Sequence, residues 1–339
     1  MLLGGDANAD ATSDGTADSG CPSFSSLFDT CVLPVGVPMP GSATAYSSDT
    51  GVATVGINPV PMPHVMVTTA LGPIDVVSLT SFVQDADGML RITGTLPVAF
   101  AVTGEVNIPG RIDLSAGGAS AGCDVTGTGA NGVVQGSAGD GGGGGGNVEL
   151  GGNGGGGDNH PTLTHGGGTQ PAGLHGGCAG GRSGGSQGFA GGLGGGAFYL
   201  VAASPIVING VIDASGGGGK GGGAAHAGGG GGGAGGLLML EASGVDLAGQ
   251  LDATGGGGGG GADTLGPGLA GKLGSAGGNG GNGSSGNPGG HGGNGVASAN
   301  AGTMGTATAG GGGGGGAVGR ITITSPGFVN QGSVAPPVN

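Results

Sequence analysis

Along the second half of the chain, short apolar runs alternate with turn residues in an order that repeats. The stretches 199–216 (YLVAASPIVINGVIDASG) and 238–255 (LMLEASGVDLAGQLDATG) align without a gap, placing Gly210 over Gly249, Ile212 over Leu251 and Asp213 over Asp252. After a shift of about one residue at its start, the stretch 100–117 (FAVTGEVNIPGRIDLSAG) enters the same columns through Phe100, Val106, Ile108, Gly110, Ile112, Asp113 and Ser115. Fainter copies occupy 82–94 (FVQDADGMLRITG), with Arg91 in the Asp column, and the residues after Arg320, with Phe328, Gly332 and Ala335 in the columns of the mid-run residue, the glycine and the Asp. A unit this short stacks on its neighbours rather than folding alone, and an end unit with one neighbour drifts from the consensus.

Each copy carries three runs, as in FYLVAA, IVING and VIDAS, parted by Ser-Pro, Gly or Asn-Gly. Runs of about four to six residues rich in Val, Ile and Leu between turn residues read as strands. The expected fold is therefore all-β, a right-handed parallel β-helix (β-solenoid), its coils stacked at ~4.8 Å. Val106, Ile206, Val245 and Phe328 would form an apolar ladder inside it. No stretch has helical periodicity, and each of the 101 glycines would disfavour a helix by ~1 kcal/mol relative to alanine.

The runs divide the chain into an acidic spacer with a small Cys-closed segment (1–34), an N-terminal β region with the first rungs (35–117), single rungs at 197–216 and 237–255, and a C-terminal rung or cap at 317–339. Glycine-rich inserts fill 118–196, 217–236 and 256–316. In the last insert glycine recurs at every third position: Gly268, Gly271, Gly274, Gly277, Gly280, Gly283, Gly286, Gly289, Gly292 and Gly295. That period matches the extended threefold helix, in which glycine permits close approach of another backbone. The expectation is polyglycine-II segments packed beside the rungs, with disorder as the competing reading for chains this poor in apolar residues. Collagen shares the period but needs abundant imino acids, and this tract holds only Pro288.

Of 339 residues only 8% are charged and 3% aromatic, which suits a narrow stacked core better than a broad globular one. A net charge of −14 with six Lys plus Arg excludes nucleic acid as a partner and opposes anionic membranes. No apolar run approaches the ~20 residues of a transmembrane helix.

The stretches 88–118 and 195–219, with G-x-I-D-x-S-G-G closing a coil and glycine tracts between coils, resemble glycine-rich secreted or surface proteins of Gram-negative soil bacteria. The glycine tracts also resemble those of polyglycine-helix proteins. The resemblance implies export and an extracellular or outer-surface location, and no assigned activity. The segment 4–20 reads as the kind of acidic, disordered spacer that follows a lipidated cysteine. No lipobox cysteine or apolar leader precedes it, so the expected arrangement is a longer precursor bearing the lipid anchor.

Four cysteines allow three pairings. Cys21 with Cys31 and Cys123 with Cys178 is the natural set, the second bridge stapling the long insert in an oxidising compartment. The aligned Asp113, Asp213 and Asp252 invite two readings: a Ca²⁺ site or the acid cluster of a polysaccharide-active enzyme, and an Asx-type turn in which each carboxylate caps backbone N–H groups. The turn is preferred, because apart from Arg111 no Lys, Arg or His accompanies the column. His160, His165, His175 and Cys178 lie close together but match no standard zinc module. No catalytic residue, metal or cofactor is assigned. The expected function is a non-enzymatic structural or adhesive protein of the bacterial envelope or extracellular matrix. Its expected partners are glycans, cell surfaces or further copies of itself. A polysaccharide-active enzyme, and an ice- or surface-binding protein using polyglycine helices, are the alternatives.

Overall fold

A computed structural model describes residues 23–119, 123, 126–161, 164–185, 188–223, 226–263, 267–272, 299–306 and 308–338. A short 3-10 turn at Thr30–Val32 is capped by the Asp29 side chain, which accepts from the Cys31 amide. The N-terminal strands are β1 (Val37–Met39), β2 (Ala43–Ser47), β3 (Val52–Val55), β4 (Asn58–Pro61), β5 (His64–Thr69) and the long β6 (Gly72–Val83). There follow β7 (Met89–Thr93), β8 (Val98–Val102), β9 (Val106–Ile108), β10 (Arg111–Asp113), and a short hairpin of β11 (Val134–Gln135) and β12 (Ala138–Gly139). Three tiers of three complete the set: β13 (Ala197–Ala202), β14 (Ile206–Ile208) and β15 (Val211–Asp213); β16 (Leu237–Ala242), β17 (Val245–Leu247) and β18 (Gln250–Asp252); β19 (Arg320–Thr324), β20 (Phe328–Asn330) and β21 (Ser333–Ala335).

Successive tiers pair in parallel and in the register of the repeat. Ile206 stands between Val106 and Val245, and Val245 is followed by Phe328. Asp213 stands between Asp113 and Asp252, with Arg91 before and Ala335 after the column.

The right-handed parallel β-helix (β-solenoid) expected from these repeats is nevertheless corrected. First and second runs do not form separate faces; both belong to one 11-stranded, nearly closed, barrel-like sheet in the order β19-β16-β13-β8-β6-β9-β14-β17-β20, with β1 and β5 also pairing β6. The third runs lie in a separate 8-stranded sheet that continues from β7 through β2 into the antiparallel strands β3 and β4. The cause lies in β6. Later tiers break between their first two strands at Thr103-Gly104, Ser204-Pro205, Ser243-Gly244 or Pro326-Gly327, whereas Gly72–Val83 has no Gly or Pro after Pro73 and runs through both columns.

Between the sheets the inward positions make one core. Phe100 meets Tyr46, Phe82 and Phe198 edge to face at 5.2 to 5.8 Å, and ladders such as Ile112, Ile212 and Leu251 extend it. A second cluster covers the opposite face of β8 and β13, where Phe28 and Leu174 pack on Ala99, Ala101, Tyr199 and Val201. β8 and β13 are thus buried on both faces. The glycine-rich segments connect the end of each tier to the start of the next and pack against one another as a bundle.

Candidate functional site

The glycine bundle holds most of the described residues outside the sheets. An extended threefold chain has no internal hydrogen bonds, so successive N–H groups leave it in three directions. The segment 139–147 shows the result. Gly141, Gly142 and Gly143 donate to Gly155, Gly229 and Ala130, and Gly144, Gly145 and Gly146 return to the same three neighbours at Gly152, Gly232 and Gly127, all at 2.8 to 2.9 Å. Its carbonyls accept from three further segments, through Gly314 and Ala317, Gly181 and Cys178, and Gly167. The segment 228–236 is surrounded in the same way, donating through Gly229, Gly230 and Gly231 to Gly311, Lys220 and Gly181.

Glycine is required here by space. A Cβ on Gly144 would lie 1.8 Å from the Gly315 carbonyl oxygen, and one on Gly231 would lie 1.9 Å from that of Gly143. These obstacles are backbone atoms of segments held on several sides, so neither can swing away. Of the period-three glycines, Gly268 and Gly271 join the bundle, donating to Gly222 and Gly219. Gly274, Gly277, Gly280, Gly283, Gly286, Gly289, Gly292 and Gly295 lie outside the described residues.

At the junction of sheet and bundle stand the three aligned aspartates. Oδ1 of Asp113 accepts from the Ser115 amide at 3.0 Å and hydroxyl at 2.6 Å. Asp213 accepts from the Ser215 amide at 2.9 Å, and Asp252 from the Thr254 amide and hydroxyl at 2.9 and 2.7 Å. Their other oxygens are occupied as well: Arg91 donates to Asp113 at 2.6 Å, Arg111 to Asp213, and Gln250 to Asp252 at 3.3 Å. Asp213 and Asp252 are 4% and 1% exposed. Burial raises the Asp113 pKa, but the hydrogen bonds from Ser115 and the Arg91 guanidinium outweigh it and hold the carboxyl below its ordinary value. This is Asx-turn chemistry with charge compensation, and it leaves no pair of carboxylates facing a groove.

Cys123 and Cys178 form a disulfide across 55 residues of sequence. It joins Cys123 to the segment 177–184, to which the nearby segment 126–132 also bonds, Gly129 donating to Ala179 and Gly132 to Arg182. Cys31 is disulfide-bonded, and Cys21 lies outside the described residues. The Cys178 sulfur is therefore committed. His160 and His165 are exposed, and His175 contacts the carbonyls of Pro171 and Gly176. Among the described residues no group of three or more His, Cys, Asp and Glu side chains stands where it could hold a metal ion.

Two polar clusters, one buried and one partly exposed, have no counterpart in the sequence reading. Asp75 accepts from the Tyr46 phenol at 2.5 Å and meets His64 Nδ1 at 2.8 Å. Burial raises the Asp75 pKa despite both contacts, and burial followed by the bond to Asp75 raises that of Tyr46. Tyr199 donates to Glu241, which also accepts from the Ser26 hydroxyl at 2.7 Å and fastens the N-terminal segment to β16. The hairpin register that brings β5 against β6 was the one available signal for His64 and Asp75; Tyr46 arrives from the other sheet.

Comparison with protein-family models, with curated proteins and with solved structures returned no match. No helix among the described residues is long and apolar enough to cross a membrane.

Three outcomes follow from this geometry. Gly144→Ala should destabilise the protein by more than ~4 kcal/mol, the range reserved for severe overpacking. Gly244→Ala, whose Cβ would meet Pro205 at 3.4 Å and the Gly327 carbonyl oxygen at 3.7 Å, both ordinary contacts, should stay within about 0.5 kcal/mol; paired urea titrations decide. Asp113 has a folded pKa below its unfolded value of about 4, so its contribution is present above that value and lost as pH falls through the folded pKa. Asp113→Asn should cost about 2 kcal/mol at neutral pH and flatten the acid limb of the stability profile. Asp75 has the opposite sign, its contribution being lost as pH rises through its raised folded pKa. Cys123→Ala/Cys178→Ala, which opens a loop of 55 residues and leaves the bridge at Cys31 intact, should lower stability by about 4 kcal/mol on the chain-entropy relation, read as a shift in urea midpoint.

Proposed function

We propose that this protein is a non-enzymatic structural or adhesive component of a cell surface or extracellular matrix. The observation that carries the reading is the bundle interior, where segments such as 141–146 and 228–233 are joined by their own N–H and C=O groups and present no side chain. Such a block offers neither nucleophile nor acid, and its backbone is closed to a protease that must bind an extended strand. The aligned carboxylates are occupied as caps and ion pairs, which favours a structural role for them over hydrolysis of a glycosidic bond. The Cys123–Cys178 disulfide supports export to an oxidising compartment.

Exposed side chains are densest on the outer segments. Leu269, Ala270 and Lys272 are exposed on one, and Asn300, Ala301, Thr303, Met304 and Thr306 on another. Successive side chains on one face of such a segment recur at about 9.3 Å, three residues at the ~3.1 Å rise of the extended threefold helix. The result is a regular, weakly charged surface suited to contact with glycans or a cell surface.

The test is to incubate the oxidised protein with insoluble neutral and uronic polysaccharides, following both adsorption and release of reducing ends. Adsorption without release is expected, reduced at least about tenfold, or ~1.4 kcal/mol, in Thr303→Asp/Met304→Asp at unchanged unfolding midpoint. Sustained release that Asp213→Asn abolishes in a folded protein would overturn the reading.

A further inference from the structure

The two ends of the stack are built differently. At the N-terminal end the core is closed: β1 and β5 cover β6, the antiparallel strands β3 and β4 extend the second sheet, and Met39, Tyr46 and Met62 are buried there. At the other end β19, β20 and β21 each pair with one strand, and no described strand meets their outer edges. All three apolar ladders emerge at this tier. Phe328 is 36% exposed although Val106, Ile206 and Val245 in its column are 1% or less. Ile323 and Val334 are likewise only partly buried, whereas their partners Leu240 and Leu251 are fully enclosed.

We infer that this open tier is a self-association surface, and that two copies of the chain meet there in a closed, two-fold dimer. An unpaired strand edge above an unfinished core is satisfied by another strand edge with an apolar face. Charge selects which. Two chains of net charge −14 repel over most of their surface, but from Gly319 onward the only charged residue is Arg320, and no Asp or Glu follows it. This tier is where two copies approach without opposing carboxylates. The capped end also has strands paired on one side only, but its core is covered and the outermost strand β4 carries Pro59 and Pro61, which offer no N–H to a further strand, so a head-to-tail contact is disfavoured. Open end against open end is isologous and stops at two.

Sedimentation equilibrium of the full oxidised chain between about 1 and 100 μM, the micromolar range of modest interfaces, tests the inference. A reversible monomer–dimer equilibrium is expected, weakened at least about tenfold in Phe328→Glu, which sets two like charges face to face. Val329→Glu, one residue along and directed to the opposite side of the strand, should leave it nearly unchanged. A monomer over the whole range, oligomers that keep growing with concentration, or a dimer insensitive to Phe328→Glu would each overturn the proposal. Should Phe328→Glu fail to fold, amide exchange on the native chain decides. Protection of residues 320–335 that rises with protein concentration supports the contact, and protection independent of concentration refutes it.

Discussion

The constraint on which this structure depends is the distance between glycine backbones. Neighbouring segments lie so close that a single added carbon falls about 2 Å from a carbonyl oxygen, as at Gly141 against Gly312 and Gly313 against Gly230. Closeness of that kind lets every residue of an interior segment pair its N–H and C=O with a different neighbour, satisfying buried polar groups without strand or helix. Glycine content then follows the number of neighbours. The surrounded runs 141–146 and 228–233 are glycine throughout. The segment 190–195 keeps two in three, with Ala190 and Leu193 exposed. The outer segments 267–272 and 300–305 keep one in three, as Gly268 and Gly271, and Gly302 and Gly305.

Such a bundle has a large entropic cost, because fixing a glycine loses more freedom than fixing any other residue. The sheets are what offset it. Each glycine segment leaves one tier and enters the next in a register already set by strand pairing: Leu114 donates to Asp213 and Ala116 to Ser215, continuing the ladder into the glycine run, and Leu237 and Arg320 donate back to Gly196 and Gly236. Phe100, Phe198 and the apolar ladders anchor both ends of every segment. Core and bundle are therefore one cooperative unit.

Column identities were legible in the sequence because parallel in-register stacking places like residues over like, so Ile112, Ile212 and Leu251, and likewise the three aspartates, recur at matching positions of the repeat. What the alignment lacked was the course of the N-terminal strands. Nothing in a repeat reports that β6 will run through a corner, or that β3 and β4 will turn antiparallel, and those features make two sheets of what reads as a three-sided coil. The period-three tract drew attention for its regularity, yet the described interior of the bundle is made by unbroken glycine runs, whose lack of pattern is the consequence of being touched on every side. The Tyr46, His64 and Asp75 cluster was invisible because it joins strands from different sheets.

The aspartate column shows why a residue that looks catalytic in one dimension is structural in three. In each of the tiers ending at β10, β15 and β18 the strand must give way to a threefold chain within a few residues; the first amide past the strand still donates to the next tier, and the second would be left without a sheet partner. Asp113, Asp213 and Asp252 supply that partner two residues on, at Ser115, Ser215 and Thr254, immediately before the glycines begin. Stacking three carboxylates one above another is electrostatically unfavourable unless cations intervene. Arg91 and Arg111 do so at the first two levels, and Gln250 donates at the third. At the last tier Ala335 ends the column, and its carbonyl accepts from the Ala253 amide.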